Sequence, residues 1–465
     1  MRAVTKTNSG RRFALRSSQS AELTGVARAH RHYAGGIRGV RNWRLPEKKE
    51  SFSGAFFWLT AFYFVYCARP ADLIPGLGVV PLAKITGALA VLSLFLSIGK
   101  TPRRLRDLPR EAFYLLLLVI LLFVSALLSP VWKGGAFFMV LDFAKVVVAW
   151  VATFLLVTTL KRLRRIIFLQ SASVALISLA AIAKGHSVPR LEGVVGGFYS
   201  NPNDMAFAIV LSIPFCMAFL LSARSLARKA AWSLAIVVMT VALMLTSSRA
   251  GAIDLVISGM VLLWYFGIKG KRPYLIVGAV VLTVGSLVLA GKDLAVRFNG
   301  LFESGNSVEQ DSAHESYQER RLLMSKAVDT IARYPIFGVG AGDFVVYSGL
   351  WRDVHVSYLE IAADGGIPVL ILYLMFFARG FVNLRALSKR RNLDEETVLF
   401  VGALKSSLVG FVVGACFAPE AYQFFPYFTV CYTSVLWTMT REPQPSSVPV
   451  VARPNSIRRD FAKAY

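Results

Sequence analysis

The stretch AFYLLLLVILLFVSALLS (residues 112–129) carries no charge, no glycine and no proline. Wound as an α-helix, its 18 residues extend about 27 Å, close to the roughly 30 Å hydrocarbon core of a bilayer. It is apolar on every side, so no face of it suits water. A membrane β-barrel would alternate apolar and polar positions instead. Similar runs recur on both sides, at 54–68, 82–98, 136–159, 166–183, 204–222, 230–246, 250–268, 274–290, 357–378, 398–417 and 424–440. The run at 357–378 is the least apolar, because Glu360 and Asp364 fall in its first half. The 465 residues are 55% hydrophobic and 17% charged, with mean hydropathy +0.55. That composition excludes an ordinary soluble domain. The expected fold is all-α: a polytopic membrane protein of about 12 transmembrane helices.

The net charge of +25 raises the question of nucleic acid, and its distribution answers it. If the spans alternate from a cytoplasmic N-terminus, 37 of the 52 Lys and Arg fall on the inner side. Each short inner loop is basic, as in KTPRRLRDLPRE (100–111). This is the positive-inside pattern, so the basic excess reflects topology, with some attraction to anionic lipid. No nucleic-acid partner is expected. Residues 1–53 are rich in Arg, Ser and Gly and lack an apolar signal region. They read as a disordered cytoplasmic arm, and 441–465 as a disordered cytoplasmic tail. The membrane domain is 54–440. Cys67, Cys216, Cys416 and Cys431 lie in or beside apolar runs and form no CxxC pair, so they read as small core residues.

One long polar stretch, 291–356, interrupts the apolar runs, and the alternation places it outside the membrane on the extracytoplasmic face. Within it ERRLLMSKAVDTIARY (319–334) has the pattern of an amphipathic helix, with Leu323, Ala327, Val328 and Ile331 on one face and Pro335 just beyond its end. The turn GVGAGD (338–343) follows. No Gly-Lys-Ser/Thr completes a phosphate loop there, so its glycines serve a tight bend.

Four elements on this face have side chains suited to chemistry. In RLEGVVGGFYSNPNDMA (190–206), Asn203 or Asp204 can cap the helix that follows, and a helix start near Arg190 favours an anion. In TSSRAGA (246–252), Arg249 lies between two spans. It either snorkels to lipid phosphate or clamps the phosphate of a lipid-linked substrate. Arg320 and Arg321 begin the surface helix. They either pair with Glu315 or Glu319 on a solvated face or supply a second phosphate clamp. In VHVSYLE (354–360), His355 is either an ordinary loop residue or a general base. No metal-ligand spacing occurs, so no metal and no cofactor are expected. Among intramembrane charges, Asp142 and Lys145 can pair on one helix face, whereas Lys84, Asp254 and Lys405 have no evident partner.

The order NPND, then SSRAGA, then R–x14–P–x2–GVGAGDF, then H–x2–YLE–x4–G resembles the O-antigen ligase and polymerase superfamily of bacterial envelope enzymes. The resemblance covers roughly 190–380 and is joined by the twelve-span layout with a large loop between the ninth and tenth spans. Val356 and Met324 depart from the Asn and Trp usual in the family. The resemblance implies a helical glycosyltransferase of the C type in the bacterial inner membrane. Such an enzyme moves a glycan from undecaprenyl diphosphate to an acceptor hydroxyl on the outer face. Arg190, Arg249 and Arg320 would hold the diphosphate, with Arg321 beside them, and His355 would activate the acceptor. Asn201, Asn203, Asp204, Tyr358 and Glu360 would support the site. The acceptor could be a glycan (polymerase), lipid A core (ligase) or a protein, which these residues do not separate. The competing expectation is a transporter or flippase of lipid-linked saccharides, against which the absence of an evident repeat between halves argues.

Overall fold

The computed structural model describes residues 54–441 except 75, 98–100, 185–189, 192–198, 200, 300–307 and 391. The basic arm, nearly all of the tail and part of the 190–206 stretch lie outside the described residues. Among the described residues there are helices and no strands. The 112–129 stretch is helix α3, Arg110–Leu128. It is preceded by α1 (Gly54–Ala68) and α2 (Leu82–Leu96), and followed by α4 (Lys133–Leu156), α5 (Leu160–Lys184), α6 (Pro202–Ser222) and α7 (Leu226–Leu245). Then come α8 (Arg249–Leu263), which passes into a π-turn at Trp264–Ile268, and α9 (Tyr274–Asn299). The chain continues through α10 (Val308–Arg333), α11 (Ser357–Ser388), α12 (Glu395–Gly414) and α13 (Phe424–Arg441).

Every one of the twelve apolar runs is helical. Eight of these helices are long and apolar enough to cross a membrane: α3 to α8, α11 and α12. Gly54–Ala68, Leu82–Leu96 and Tyr274–Val288 are apolar but shorter. The protein is thus an all-α, multi-pass membrane protein. Its centre is built from α6, α12 and α13, which are buried on nearly all sides. Small residues let these helices approach. A Cβ on Gly414 would sit 2.3 Å from the Phe207 ring. Hydroxyls fasten the same interfaces: Ser258 meets Ser406 (3.0 Å), and Ser407 donates to the Leu211 carbonyl (2.8 Å).

The long polar stretch is mostly helical rather than loop. α9 runs on to Asn299, and α10 begins at Val308, eleven residues before the expected start. On α10, Leu323 and Ala327 are buried as the periodicity requires, but Val328 is 54% exposed. Thr330 takes its place in the buried row. The helix packs on α11 and α9. Asp142 and Lys145 pair with each other as expected. Lys405, expected to lack a partner, donates to the Tyr265 hydroxyl (3.0 Å) and to Ser388 Oγ. That partner was hidden because it comes from the π-turn 140 residues earlier in sequence.

Helix α11 is broken near its start. Gly366 has φ 82° and ψ 175°, which stops the helical hydrogen bonding there. The carbonyls freed at the break are taken by the glycine-rich turn: Val339 N–H donates to Ala363 O (2.9 Å) and Gly340 N–H to Asp364 O (3.0 Å). The Ser125 hydroxyl also donates to Asp364 O (2.7 Å). Irregular backbone inside a membrane protein is tolerated where protein groups satisfy it in this way.

Candidate functional site

One end of the bundle gathers the starts of α6, α8, α11 and α13 with the ends of α1, α3, α7 and α12. Several of the polar residues singled out in the sequence lie there. The organising side chain is Asn203. Its Oδ1 accepts from Arg190 Nη2 (2.9 Å) and from the Ser248 hydroxyl (2.9 Å). Arg190 also donates through Nε to the Thr246 carbonyl (2.9 Å), and Leu191 N–H to the Leu245 carbonyl (2.9 Å). The segment before α6 is therefore laced to the turn between α7 and α8. Ser247 holds that turn in a left-handed conformation (φ 51°), and Ser248 caps α8 by accepting from Gly251 N–H (3.2 Å). Arg249, the first residue of α8, is thereby fixed one position from Ser248.

This corrects the cap of α6. Neither Asn203 nor Asp204 is the cap; Asn201 is, accepting from Asn203 N–H (2.9 Å) with Pro202 following at the first helical position. All three residues have suitable side chains, but Asn203 is drawn away by Arg190 and Ser248.

A small satellite core covers the start of α11. Leu323 and Ala327 of α10 pack with Val339, Phe344, Val354 and Ala363. Lys326 of α10 donates to the Ser348 carbonyl. The turn below is pinned to the α3–α4 connection by Asp343, whose carboxylate accepts from the Ser129 hydroxyl (2.6 Å) and Trp132 N–H (3.2 Å). Asp364 accepts from Gly342 N–H (2.9 Å) and the Tyr422 hydroxyl (2.8 Å). Arg320 lies on the α10 face that carries Leu323 and Ala327, half-buried, whereas Arg321 is exposed on the other side. Glu319 pairs with Arg352 (2.9 Å) rather than with either of them.

His355 stands two residues before α11. Its Nδ1 lies 2.9 Å from the Asp353 carbonyl oxygen. A carbonyl only accepts, so Nδ1 carries the hydrogen and Nε2 keeps its lone pair. Burial, then the positive charge of Arg320, push its pKa down to about 4. The imidazole is neutral at pH 7, with Arg320 close enough to be felt. Tyr358 donates to the Val412 carbonyl (2.8 Å), and Glu360 accepts from Ala421 N–H (3.2 Å). Both join the start of α11 to α12 and the segment after it.

A carboxyl cluster gathers at the same end of the bundle; the sequence reading named Asp204 and Glu360 but omitted Glu420 and Asp353. Asp204 at the start of α6 meets Glu420, and Asp204 also feels Asp353. Burial, then Asp204 and Glu360, push the Glu420 carboxyl well above the carboxylate range. Two carboxyls in contact are stable when one holds a proton. The signal for Glu420 was present: it is an acid in the short segment 418–423 between two apolar runs. Among the described residues no three His, Cys, Asp or Glu side chains converge as metal ligands.

The arrangement offers three arginines at one end of the bundle (Arg190, Arg249, Arg320), an imidazole with a free lone pair on Nε2, and a cluster of buried carboxyls. It suits an anionic group and a proton transfer beside it. Residues 234–374 match a family model described as O-antigen ligase. No curated protein matches the chain.

Proposed function

We propose that this protein transfers a glycan from undecaprenyl diphosphate to an acceptor hydroxyl at the outer face of the inner membrane, a reading supported by the match of residues 234–374 to the O-antigen ligase family model. The observation that carries this reading is the polar cluster in which Asn203 gathers Arg190 and Ser248, at the end of the bundle where His355 keeps Nε2 free and feels the charge of Arg320. A lipid diphosphate carries its charge at the membrane surface, where the guanidiniums of Arg190, Arg249 and Arg320 sit. Guanidinium groups bind such oxygens bidentately, and the N-terminal ends of α6 and α8 add to the attraction.

The acceptor hydroxyl donates its hydrogen to His355 Nε2 as its oxygen attacks the anomeric carbon. The bond from that carbon to the diphosphate oxygen breaks, and the electron pair leaves with the diphosphate. Arginine charge there stabilises the leaving group more than the donor, and so lowers the barrier. The proton on His355 is then returned to solvent or to the departing diphosphate. Asn201, Asn203 and Asp204 hold the Arg190 side of the site, and Tyr358 and Glu360 hold the start of α11. Arg321, on the outer side of α10, guides the anionic donor. Both termini are cytoplasmic in this reading, and the acceptor is a glycan, lipid A core or a protein.

The test uses purified full-length protein with a lipid-diphosphate glycan and candidate acceptors. The expected result is acceptor elongation with release of undecaprenyl diphosphate in equal amount. Movement of the lipid-linked saccharide across a vesicle membrane without bond cleavage would identify a flippase and overturn the reading.

A further inference from the structure

At the opposite end of the bundle from His355, α8, α11 and α12 enclose a cleft of about 780 Å³. The unbroken part of α11, Ile367–Ser388, alone carries the chain about 33 Å from one end toward the other. Four cations line this cleft, Lys269, Arg385, Lys389 and Lys405, and no acid does. The carboxylates nearest in sequence are engaged elsewhere. Glu395 pairs with Arg272 (2.9 Å) and Glu396 with Arg164 (2.5 Å), while Asp394 caps α12. Arg385 and Lys389 make no side-chain hydrogen bond or ion pair among the described residues.

The π-turn shapes the cleft. Its wide turn is closed by Lys269 N–H donating to the Trp264 carbonyl (2.9 Å). Phe266 is turned inward onto Gly402, where a Cβ would lie 2.6 Å from the ring. Tyr265 is left facing Lys405, with the ammonium 4.5 Å from the ring centre and 3.0 Å from the hydroxyl. Lys269 lies 5.1 Å from the same ring. Single π-turns of this kind recur at functional sites. The remaining wall is apolar: Met260 and Trp264 are largely exposed, and Phe381 and Val409 line the interior. A cationic rim over an apolar wall is complementary to an amphiphile with a negative head, and not to a free anion alone.

We propose that this cleft binds an anionic phospholipid of the surrounding leaflet. The lipid phosphate sits among Lys405, Arg385 and Lys389, and an acyl chain lies along Met260 and Phe381. Basic clefts between transmembrane helices bind anionic headgroups through this combination of charge and apolar contact.

The test is a lipid titration of delipidated full-length protein in detergent, read by native mass spectrometry. The probes are phosphatidylglycerol, phosphatidylcholine and inorganic phosphate. Phosphatidylglycerol is expected to bind more tightly than phosphatidylcholine and to resist millimolar phosphate. The double variant R385Q/K389Q, which disturbs no internal bond, is expected to weaken it by about fivefold for each charge removed. K405Q should weaken it as well. R228Q/K229Q, an exposed basic pair at the start of α7, should leave it unchanged. Wild-type affinity in R385Q/K389Q, or equal binding of phosphatidylcholine, overturns the proposal. Displacement by inorganic phosphate also overturns it and identifies a free-anion site.

Discussion

His355→Ala is expected to lower glycan transfer by about 10²- to 10⁴-fold, with the protein inserted and folded as wild type. The fold should survive because the ring's hydrogen bond is local, to the carbonyl of Asp353 two residues away. The loss should be large because that bond fixes the tautomer that leaves Nε2 able to accept a proton. A base with a pKa of about 4 is weak, however, and the donor is what strengthens it. A diphosphate bound at Arg320 would offset the guanidinium charge that disfavours imidazolium, so the pKa of His355 should rise in the complex. The sign follows for the pH profile. The acid limb of kcat/KM, which reports free enzyme, should lie below the ordinary histidine range. The limb of kcat should lie higher. Arg320→Gln removes a positive neighbour, favours the protonated ring, and should move the kcat/KM limb to higher pH. Full activity in His355→Ala, or an unmoved limb in Arg320→Gln, would contradict the assigned roles.

The sequence disclosed the features that depend on local periodicity. A charge-free run such as 112–129 can only be a buried or membrane helix, and it is α3. The face of α10 was readable at Leu323 and Ala327, which follow helical spacing, but not at Val328, which was expected on that face and is exposed. Contacts between distant segments were not readable. Asn201, Asn203 and Asp204 could each cap α6, and the choice among them depends on Arg190 and on Ser248, 45 residues beyond Asn203. The bond between Tyr422 and Asp364 joins positions 58 apart, and nothing at either position announces the other. The π-turn was hidden too, because TrpTyrPhe continues an apolar helix in composition and departs from it only in backbone geometry. Glu420 was missed because an acid between two spans reads as a solvated loop residue until the helices around it are seen to enclose it.

The glycine-rich turn and the break in α11 are two halves of one joint, and Gly366→Ala should show it. At φ 82° and ψ 175° the backbone is in a region essentially confined to glycine, where another residue costs of order 1–3 kcal/mol. The new Cβ would also lie 2.3 Å from the Ile336 carbonyl oxygen and 2.9 Å from Phe337 N. Those are backbone atoms and cannot rotate away. Gly338 makes the reciprocal approach: at φ 65° its Cβ would meet the Asp364 carbonyl carbon at 2.4 Å. Separating the two segments would break the Val339 and Gly340 hydrogen bonds that satisfy the broken helix, at about 1 kcal/mol each. Gly366→Ala is therefore expected to lower the thermal unfolding temperature of the purified protein markedly. It should also abolish transfer, because His355 and Arg320 are carried by the two segments that the joint aligns. Gly338→Ala should do the same. Gly259→Ala is the control: nothing lies within 4 Å of its Cβ position, and alanine there should stabilise α8 by about 0.5–1 kcal/mol. Wild-type unfolding in Gly366→Ala would show that the break can be remade without glycine, and that the alignment of imidazole and guanidinium rests on other contacts.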